Sequence, residues 1–412
     1  MTDAFSPVTI GPLTLRNRFI RSGANEMMTK NCQPTKALLE LHRALAKGGV
    51  GMTTLAYVAV SPDGRTFLDQ GVMNEAALPH YRAIAAAVHA EGAKISAQIT
   101  HAGSFVQHKE LTTKRAMTAS GGLDLMGVML GRVFQHQMTR ADMDQVTAEF
   151  VRTALLAEQA GFDAVEIHMG HGYMLNQFIS PLSNKRHDEY GGSAENRVRF
   201  PAEVLKAVKQ AVGGRLAVLA KINLMDGVAK GATVADAIVT ARALEAAGAD
   251  MLVLSAGRNI EASWQIFGSP LPYEDLGKMQ SGILAKLQFS LLKLSTPKNL
   301  KFHELYLLEA ARQVRAAVKM DIAYLGGVQS RIAAEQVLGE GFNAVVMARA
   351  LVHDPDLVNK FQANPAHHSG CTACNRCVAA MYGASGTYCP VVGNALDPAW
   401  KQIPPGNIAH AA

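Results

Sequence analysis

Two histidines and a tyrosine stand close together in the run HMGHGY at residues 168–173. Neutral imidazoles can hold a carbonyl oxygen by donating hydrogen bonds, and a nearby phenol can deliver a proton as a general acid. His168, His171 and Tyr173 would therefore suit addition to a conjugated carbonyl compound. The same short spacing also fits polar loop residues that only satisfy one another, or two histidines that bind a metal.

A second group of reactive side chains lies near the carboxyl terminus. Cys371, Cys374, Cys377 and Cys389 follow the pattern C-x2-C-x2-C-x11-C, with a proline after the last cysteine. Four thiolates at this spacing could hold a 4Fe–4S iron–sulfur cluster or a structural zinc, or could stay unligated. Cysteines grouped in this way are typical of a reducing compartment, so we predict a cytoplasmic protein.

The elements that must position these residues follow a repeated pattern. A helical stretch ends at glycine and a short apolar strand follows, at Gly161, Gly248 and Gly341. Glycine can close a helix in the left-handed conformation, and the apolar run after it suits a buried parallel strand. Apolar runs of this kind predict eight strands near residues 19–22, 51–55, 94–98, 164–168, 217–221, 251–254, 321–325 and 344–347. Eight alternating units favour the α/β class and a closed TIM (β/α)8 barrel.

Three additions to the barrel are predicted. Residues 8–15, with Gly11-Pro12 at the centre, indicate an N-terminal hairpin that plugs the barrel floor. Residues 256–303 form a long insertion after strand six, too long for an ordinary loop. Within it, residues 278–293 mix lysine with apolar residues at helical spacing, which fits a helix on a membrane surface, on the barrel or on a dimer partner. We predict a barrel domain over 1–361 and a Cys-rich extension over 362–412.

Composition limits the classes of function. Of the 412 residues, 49% are hydrophobic and 18% are charged, which is enough apolar material for a large core. The net charge of +6 is scattered, which argues against a nucleic-acid partner and mildly favours anionic cofactors. The chain has no apolar run of membrane-spanning length, and the first ten residues do not have the pattern of a secretory signal.

A longer run of residues carries a resemblance to a known family. From His168 the chain continues through residues 177–181 (QFISP), Asn184, Arg186, residues 190–193 (YGGS) and residues 195–200 (ENRVRF). This stretch closely resembles that of the old yellow enzyme (NADH:flavin oxidoreductase) family. The resemblance extends from residues 15–18 (LRNR) to the cysteine cluster, which is similar to that of the 2,4-dienoyl-CoA reductase and trimethylamine dehydrogenase branch.

The resemblance implies FMN as cofactor and assigns roles to several residues. It makes His168 and His171 the pair that binds the substrate carbonyl, and Tyr173 the proton donor. Asn25 falls where many members carry the Cys or Thr that tunes the flavin potential, and Lys221 falls where relatives place a cation near the flavin. The residues expected along the flavin ring are Ser22, Gly23, Ala24, Asn25, Ala56, Gln98 and Lys221.

The flavin phosphate is expected over the loops after strands seven and eight, where barrels commonly bind phosphate. The candidates there are Gly326, Gly327, Ala348 and Arg349, with Arg349 as the phosphate cation. The resemblance to the branch with the cysteine motif places a 4Fe–4S cluster beside FMN. No G-x-G-x-x-G motif followed by an acidic residue marks a separate dinucleotide domain, so NAD(P)H is expected to bind transiently over the flavin.

These observations predict an ene-reductase that passes hydride from NAD(P)H through FMN to the β-carbon of an activated alkene, while Tyr173 protonates the α-carbon. One alternative is reduction of a dienoyl thioester, or amine dehydrogenation, with an iron–sulfur cluster. Another is a non-catalytic flavin sensor. The expected partners are the alkene and NAD(P)H, and a homodimer is a further expectation.

Overall fold

Eight parallel strands close into a barrel in the computed structural model, which describes residues 3–124, 126–278, 293, 296–383 and 385–393. The barrel order is β3, β6, β7, β11, β12, β13, β14 and β15, and β15 pairs back onto β3. The strands are β1 Val8–Ile10, β2 Leu13–Leu15, β3 Phe19–Arg21, β4 Thr29–Lys30, β5 Gln33–Pro34, β6 Met52–Ala59, β7 Lys94–Thr100, β8 Met117–Thr118, β9 Gly122–Leu123, β10 Phe134–Gln137, β11 Ala164–Met169, β12 Ala217–Asn223, β13 Met251–Ser255, β14 Asp321–Leu325 and β15 Ala344–Met347.

Helices cover the outside of the barrel. The described α-helices are Lys36–Lys47, Leu78–Ala90, Arg140–Gln159, Met174–Ile179, Ala194–Val212, Val234–Ala246, Ser263–Phe267, Tyr273–Lys278, Leu308–Ala317, Arg331–Gly339, Arg349–His353, Leu357–Ala363 and Arg376–Ala380. Gly161, Gly248 and Gly341 follow three of them with φ of 81°, 93° and 88°. This left-handed backbone confirms the helix-to-strand turn predicted at those glycines.

The predicted fold is confirmed strand by strand. Each of the eight apolar runs coincides with one barrel strand, and nearly every strand residue is buried because helices cover one side and the barrel interior fills the other. Several strands run further than predicted. The second barrel strand continues past Ala56 to Ala59, with an irregular register between Leu55 and Val58, so Ala56 lies within the strand instead of ending it.

The predicted N-terminal hairpin is also confirmed. β1 and β2 pair antiparallel with Val8 opposite Leu15, and Gly11 has a φ of 53° in the turn between them. Ile10 and Leu15 are fully buried in one cluster with apolar residues from the barrel strands, including Met52. The alternation of apolar and polar residues in each strand supplies that buried face, which closes the floor of the barrel.

The segment after β13 departs from the simple repeat, as predicted. It begins with the helices Ser263–Phe267 and Tyr273–Lys278, and the helical run predicted over 278–293 lies almost wholly outside the described residues. The chain returns to the barrel at Tyr306, whose hydroxyl donates to the Ile266 carbonyl at 2.6 Å. A three-stranded sheet of β8, β10 and β9 between β7 and the helix Arg140–Gln159 was not predicted. Across the described segments, none of the helices has the length and hydropathy required to cross a membrane.

The hairpin plug provides a test of the fold. Replacing Leu15 with Ala removes a fully buried side chain, so we expect the free energy of unfolding to fall by about 2–5 kcal/mol in urea titrations followed by circular dichroism. Thr9→Ala, on the exposed face of the same hairpin, should change it by less than about 0.5 kcal/mol. Equal losses in the two variants would contradict the buried plug.

Candidate active site

The structure brings the two histidines and the tyrosine together at the carboxyl end of β11. His168 is near the end of the strand, and the chain turns sharply at His171 and Gly172, with φ of 60° and 86°, before the helix Met174–Ile179 begins. The ring centroids of His168 and His171 are 5.0 Å apart, and those of His168 and Tyr173 are 4.6 Å apart. The turn therefore folds all three side chains of the predicted catalytic set into one cluster.

Hydrogen bonds orient the two imidazoles. The backbone N–H of Gly170 donates to His168 Nδ1 at 3.2 Å, so in the neutral ring the proton is on Nε2 and can be donated. His171 Nε2 lies 2.7 Å from the hydroxyl of Ser255, at the end of β13. Ser255 was not singled out in the sequence, and its position at the end of a barrel strand is the signal that could have found it.

Burial keeps both imidazoles neutral. Desolvation is the main cause that lowers the pKa of His168 well below its usual value and the pKa of His171 to about 3, and the nearby charge of Lys221 acts in the same direction. A neutral imidazole has one N–H donor and no charge that attracts an anion. The pair can therefore donate to a neutral carbonyl oxygen across the physiological pH range.

Aromatic and polar side chains enclose Tyr173. Tyr57 and Phe105 pack against its ring edge to face, with centroids 5.4 Å and 5.7 Å away. Desolvation raises the pKa of its phenol to about 12, although the side chains of Tyr57, Asn259 and Thr66 oppose that rise by hydrogen bonding. The phenol therefore stays protonated at neutral pH, as a proton donor requires.

A buried ionic network lies on neighbouring barrel strands. Lys221 Nζ is 2.9 Å from Glu166 Oε1, and Gln98 Nε2 donates to the same carboxylate oxygen at 2.6 Å. Lys221 also donates to Ser22 Oγ at 3.2 Å and to the Gly23 carbonyl at 3.1 Å. Lys221 and Glu166 are both at least 98% buried, so this ion pair is closed to solvent. Glu166 was missed, although it is two residues before His168 and therefore on the same face of β11.

The residues of this network fit the ring of a bound FMN. A Cβ at Gly23 would lie 2.7 Å from Gln98 Nε2, so only glycine leaves space above that amide. Gln98 retains a second amide N–H that can match a ring oxygen or nitrogen of a flavin. Lys221 donates its N–H groups to Glu166, Ser22 and Gly23, so it would contribute only its buried positive charge. Asn25 and Ala56 line a cavity of about 250 Å³ beside them. The predicted ring-binding residues thus lie together, and their contacts with FMN stay a prediction.

A second buried ion pair supports this wall of the site. Arg21 is paired with Glu26, which also accepts from the backbone N–H of Ala56 at 3.0 Å and lies 3.6 Å from His42 Nε2. Desolvation raises the pKa of Glu26 to about 7, although Arg21 opposes it. No sequence motif singled out this group, because it is assembled from β3, the loop after it, β6 and the helix Lys36–Lys47.

At the end of the site predicted to bind the flavin phosphate, the Arg349 guanidinium is already hydrogen-bonded to other residues of the chain. Gly327, with a φ of 82°, follows β14 as expected, but Tyr306 and Phe302 pack against it. Arg349 donates to the Phe267 carbonyl at 2.5 Å, to Ser269 Oγ at 3.0 Å and to Asn375 Oδ1 at 2.5 Å. Its guanidinium therefore joins the insertion to the Cys-rich tail. Phosphate binding by Gly326, Gly327, Ala348 and Arg349 stays a prediction.

The four clustered thiols lie in the described part of the Cys-rich tail. Among those residues no three His, Cys, Asp or Glu side chains meet in an arrangement that could hold a metal ion. Cys374 is exposed, whereas Cys389 is buried with its sulfur 3.5 Å from His353 Nδ1. Burial raises the pKa of Cys377 to about 12 and also raises that of Cys371, which favours the protonated thiols. The iron–sulfur and zinc interpretations stay predictions, and we assign no reaction step to these cysteines.

Together, the barrel, the pair of neutral imidazoles and the ring-binding wall define a flavin oxidoreductase. A family model described as the NADH:flavin oxidoreductase / NADH oxidase family matches residues 3–266. The chain is 41% identical over 397 residues, 95% of both chains, to 4,4'-dithiodibutanoate disulfide reductase of Rhodococcus erythropolis. It is 32% identical over 290 residues, 68% of this chain and 81% of the relative, to an NADPH dehydrogenase of Geobacillus sp. (strain WCH70).

Among solved structures, a complex of 2-naphthoyl-CoA reductase with 2-naphthoyl-CoA superposes with a TM-score of 0.79 at 22% identity. The match covers 97% of this chain and 57% of that longer chain, and at this identity it shows the fold alone. The chain belongs to the NADH:flavin oxidoreductase / NADH oxidase family, of the old yellow enzyme type, and is an NAD(P)H:flavin oxidoreductase.

The electrostatics of the cluster predict a flat pH profile. The imidazoles become charged only as the pH falls towards the pKa of about 3 at His171, and the Tyr173 phenol is lost only as the pH rises through about 12. We therefore expect kcat/KM for an alkene acceptor, measured with pre-reduced enzyme, to change less than about threefold between about pH 6 and about pH 9.

One buried group titrates inside that range and needs a control. An ionisation near pH 7 that disappears in Glu26→Gln would belong to Glu26. An ionisation near pH 6.5, the ordinary pKa of histidine, that persists in Glu26→Gln but disappears in His171→Asn would contradict the neutral pair.

Proposed function

We propose that this enzyme reduces the carbon–carbon double bond of an α,β-unsaturated carbonyl compound, with NAD(P)H as the electron donor. The observation that carries the proposal is the cluster of two neutral imidazoles beside a protonated, buried phenol at the carboxyl end of β11. Such a cluster combines donors for a carbonyl oxygen with an acid for the carbon beside it.

FMN, when bound, supplies the hydride that it has received from NAD(P)H. We assign the ring to the wall formed by Ser22, Gly23, Ala24, Asn25, Ala56, Gln98 and Lys221. The ammonium of Lys221 provides a buried positive charge there, and Gln98 provides an amide that donates and accepts. Glu166 balances the charge of Lys221, and its carboxylate fixes the direction of the Lys221 and Gln98 side chains.

His168 and His171 bind the carbonyl oxygen of the substrate. His168 donates through Nε2, since its Nδ1 accepts from Gly170. Negative charge grows on that oxygen when hydride reaches the β-carbon, so a donor held in place stabilises the enolate more than the neutral carbonyl. Tyr173 then gives its proton to the α-carbon, which balances the addition of one hydride and one proton across the double bond. The ring of Tyr57 packs against that of Tyr173 and holds it in position, and solvent returns the proton.

If Tyr173 is the proton donor, its replacement should slow the alkene half-reaction and leave flavin reduction by NAD(P)H intact. Tyr173→Phe removes only the acid, so stopped-flow reduction of the flavin by NAD(P)H should be nearly unchanged. Reoxidation by cyclohexenone should slow by about 100-fold or more, the usual contribution of a general acid. Tyr190→Phe removes a phenol that contacts Arg140 and Glu203 on the outer helices, and it should leave both half-reactions unchanged. Equal alkene rates in Tyr173→Phe and the parent enzyme would remove Tyr173 from this role.

A second candidate reaction is favoured by one observation, the 41% identity with a disulfide reductase across 95% of both chains. In this reaction the hydride attacks one sulfur of a disulfide, the S–S bond breaks and the second sulfur leaves as a thiolate that takes up a proton. NAD(P)H is oxidised and two thiols are formed. Thiolates are stable anions near neutral pH, so this reaction has little need for a general acid.

Tyr173→Phe also separates the two candidate reactions. With 4,4'-dithiodibutanoate as oxidant, the variant should keep a rate within about threefold of the parent, because the leaving thiolate needs no acid. Thiol release can be followed with a fluorogenic bimane under anaerobic conditions. A parent enzyme that oxidises NAD(P)H with the disulfide at more than ten times its best alkene rate would make disulfide reduction the main activity.

A further inference from the structure

We propose that Arg258 anchors a carboxylate group of the substrate, so that the acceptor is an unsaturated carbonyl compound that carries a carboxylate. This inference rests on the proposed function and specifies its substrate class. Arg258 follows β13 by three residues and therefore lies on the catalytic face of the barrel. Arg258 is not among the site residues that the sequence predicted.

Arg258 lies directly against the loop that carries the catalytic cluster. It forms an isolated parallel bridge with His171, and the N–H of Asn259 donates to the His171 carbonyl at 3.1 Å. A Cβ placed on Gly172 would be 3.8 Å from both the central carbon and Nη2 of the guanidinium. The guanidinium therefore packs against the loop that contains His171, one of the two imidazoles proposed to bind the substrate carbonyl.

The hydrogen bonds of this guanidinium are incomplete among the described residues. Nε donates to Glu261 Oε2 at 3.1 Å, and Nη1 makes only a long contact of 3.4 Å with Asn176 Oδ1. Nη2 has no acceptor there and is open to solvent, although most of Arg258 is buried. An arginine with a purely structural role would be expected to use both edges of its fork, whereas the Nη2 edge of Arg258 is left open.

The neighbouring amide of Asn176 also has a donor to spare, whereas the amide of Asn259 faces the Tyr173 phenol. Asn176 Oδ1 accepts from Gly172 N at 2.9 Å as well as from Arg258, which fixes the amide so that Nδ2 is the remaining group. Asn176 Nδ2 is buried and without an acceptor in the described part of the chain. The groups left over around Arg258 are thus N–H donors, and the ligand that complements them is rich in acceptors.

Charge selects a carboxylate among such ligands. Glu261 already neutralises part of the guanidinium charge, and its side chain is 35% exposed, so the site has at most one positive charge to offer. A carboxylate has one negative charge and two coplanar oxygens that match the open edge of a guanidinium. A phosphate monoester, with a charge of about −1.5 to −2, would add more uncompensated negative charge beside Glu261 than a carboxylate does.

A pair of substrates with equal chemical reactivity tests the proposal. We would compare 7-oxooct-5-enoate with its methyl ester, in which methylene groups separate the carboxyl from the enone. We expect kcat/KM to favour the acid by at least about tenfold, the value of one charge-assisted hydrogen bond. That preference should fall by at least about tenfold in Arg258→Gln and be partly kept in Arg258→Lys, which retains the charge without the planar fork.

A surface arginine provides the matched control. Arg312→Gln removes a guanidinium that pairs with Glu309 and Glu340 on the outer helices, and it should keep the acid preference of the parent enzyme. Equal rates for acid and ester in the parent enzyme, or a preference unchanged in Arg258→Gln, would overturn the proposal.

A binding measurement separates this proposal from the proposed reaction. Titration of the oxidised holoenzyme with 4-phenylbutanoate and with 4-phenylbutanamide, followed by flavin absorbance, needs no turnover. Tighter binding of the acid that is lost in Arg258→Gln supports the anchor even if no alkene is reduced, in which case only the reaction fails. If the alkene is reduced but neither carboxylate is preferred over its ester or amide, the reaction stands and the anchor fails. Should Arg258→Gln not fold, the parent enzyme and Arg258→Lys decide the question.

Discussion

Closure of a parallel sheet is the constraint on which the rest of the structure depends. Because all eight barrel strands point the same way, their carboxyl ends meet at one rim. His168 from β11, Lys221 from β12 and Ser255 from β13 become neighbours there although they are far apart in the chain. The floor is closed by the N-terminal hairpin, so the rim is the face left for chemistry.

Burial at this rim decides the charge of each catalytic group. The same desolvation that lowers the pKa of the two imidazoles raises the pKa of the Tyr173 phenol, so all three are uncharged at neutral pH. Neutral donors and a protonated phenol suit an uncharged carbonyl acceptor. Charge is confined to compensated pairs, such as Lys221 with Glu166, because an uncompensated ion would be too costly in this environment.

The side of the rim proposed for the substrate differs from the side proposed for the flavin in how its cation is hydrogen-bonded. On the flavin side, Lys221 is saturated by Glu166, Ser22 and the Gly23 carbonyl. On the other side, Nη2 of Arg258 and Nδ2 of Asn176 have no acceptor among the described residues. Arg258 is paired with Glu261 through Nε only, so a ligand at its other edge would have to bring its own acceptors.

By itself, the sequence determined the barrel, the hairpin and the clustering of His168, His171 and Tyr173. The reason is that these are local: strands, glycine turns and a six-residue run are visible in hydrophobic period and spacing. Only the tertiary structure decided the partners of those residues. Ser255 and Arg258 belong to another strand and its loop, Arg349 is turned to the Cys-rich tail, and none of these contacts leaves a periodic signal. They depend on which strands become neighbours and on what burial does to each charge.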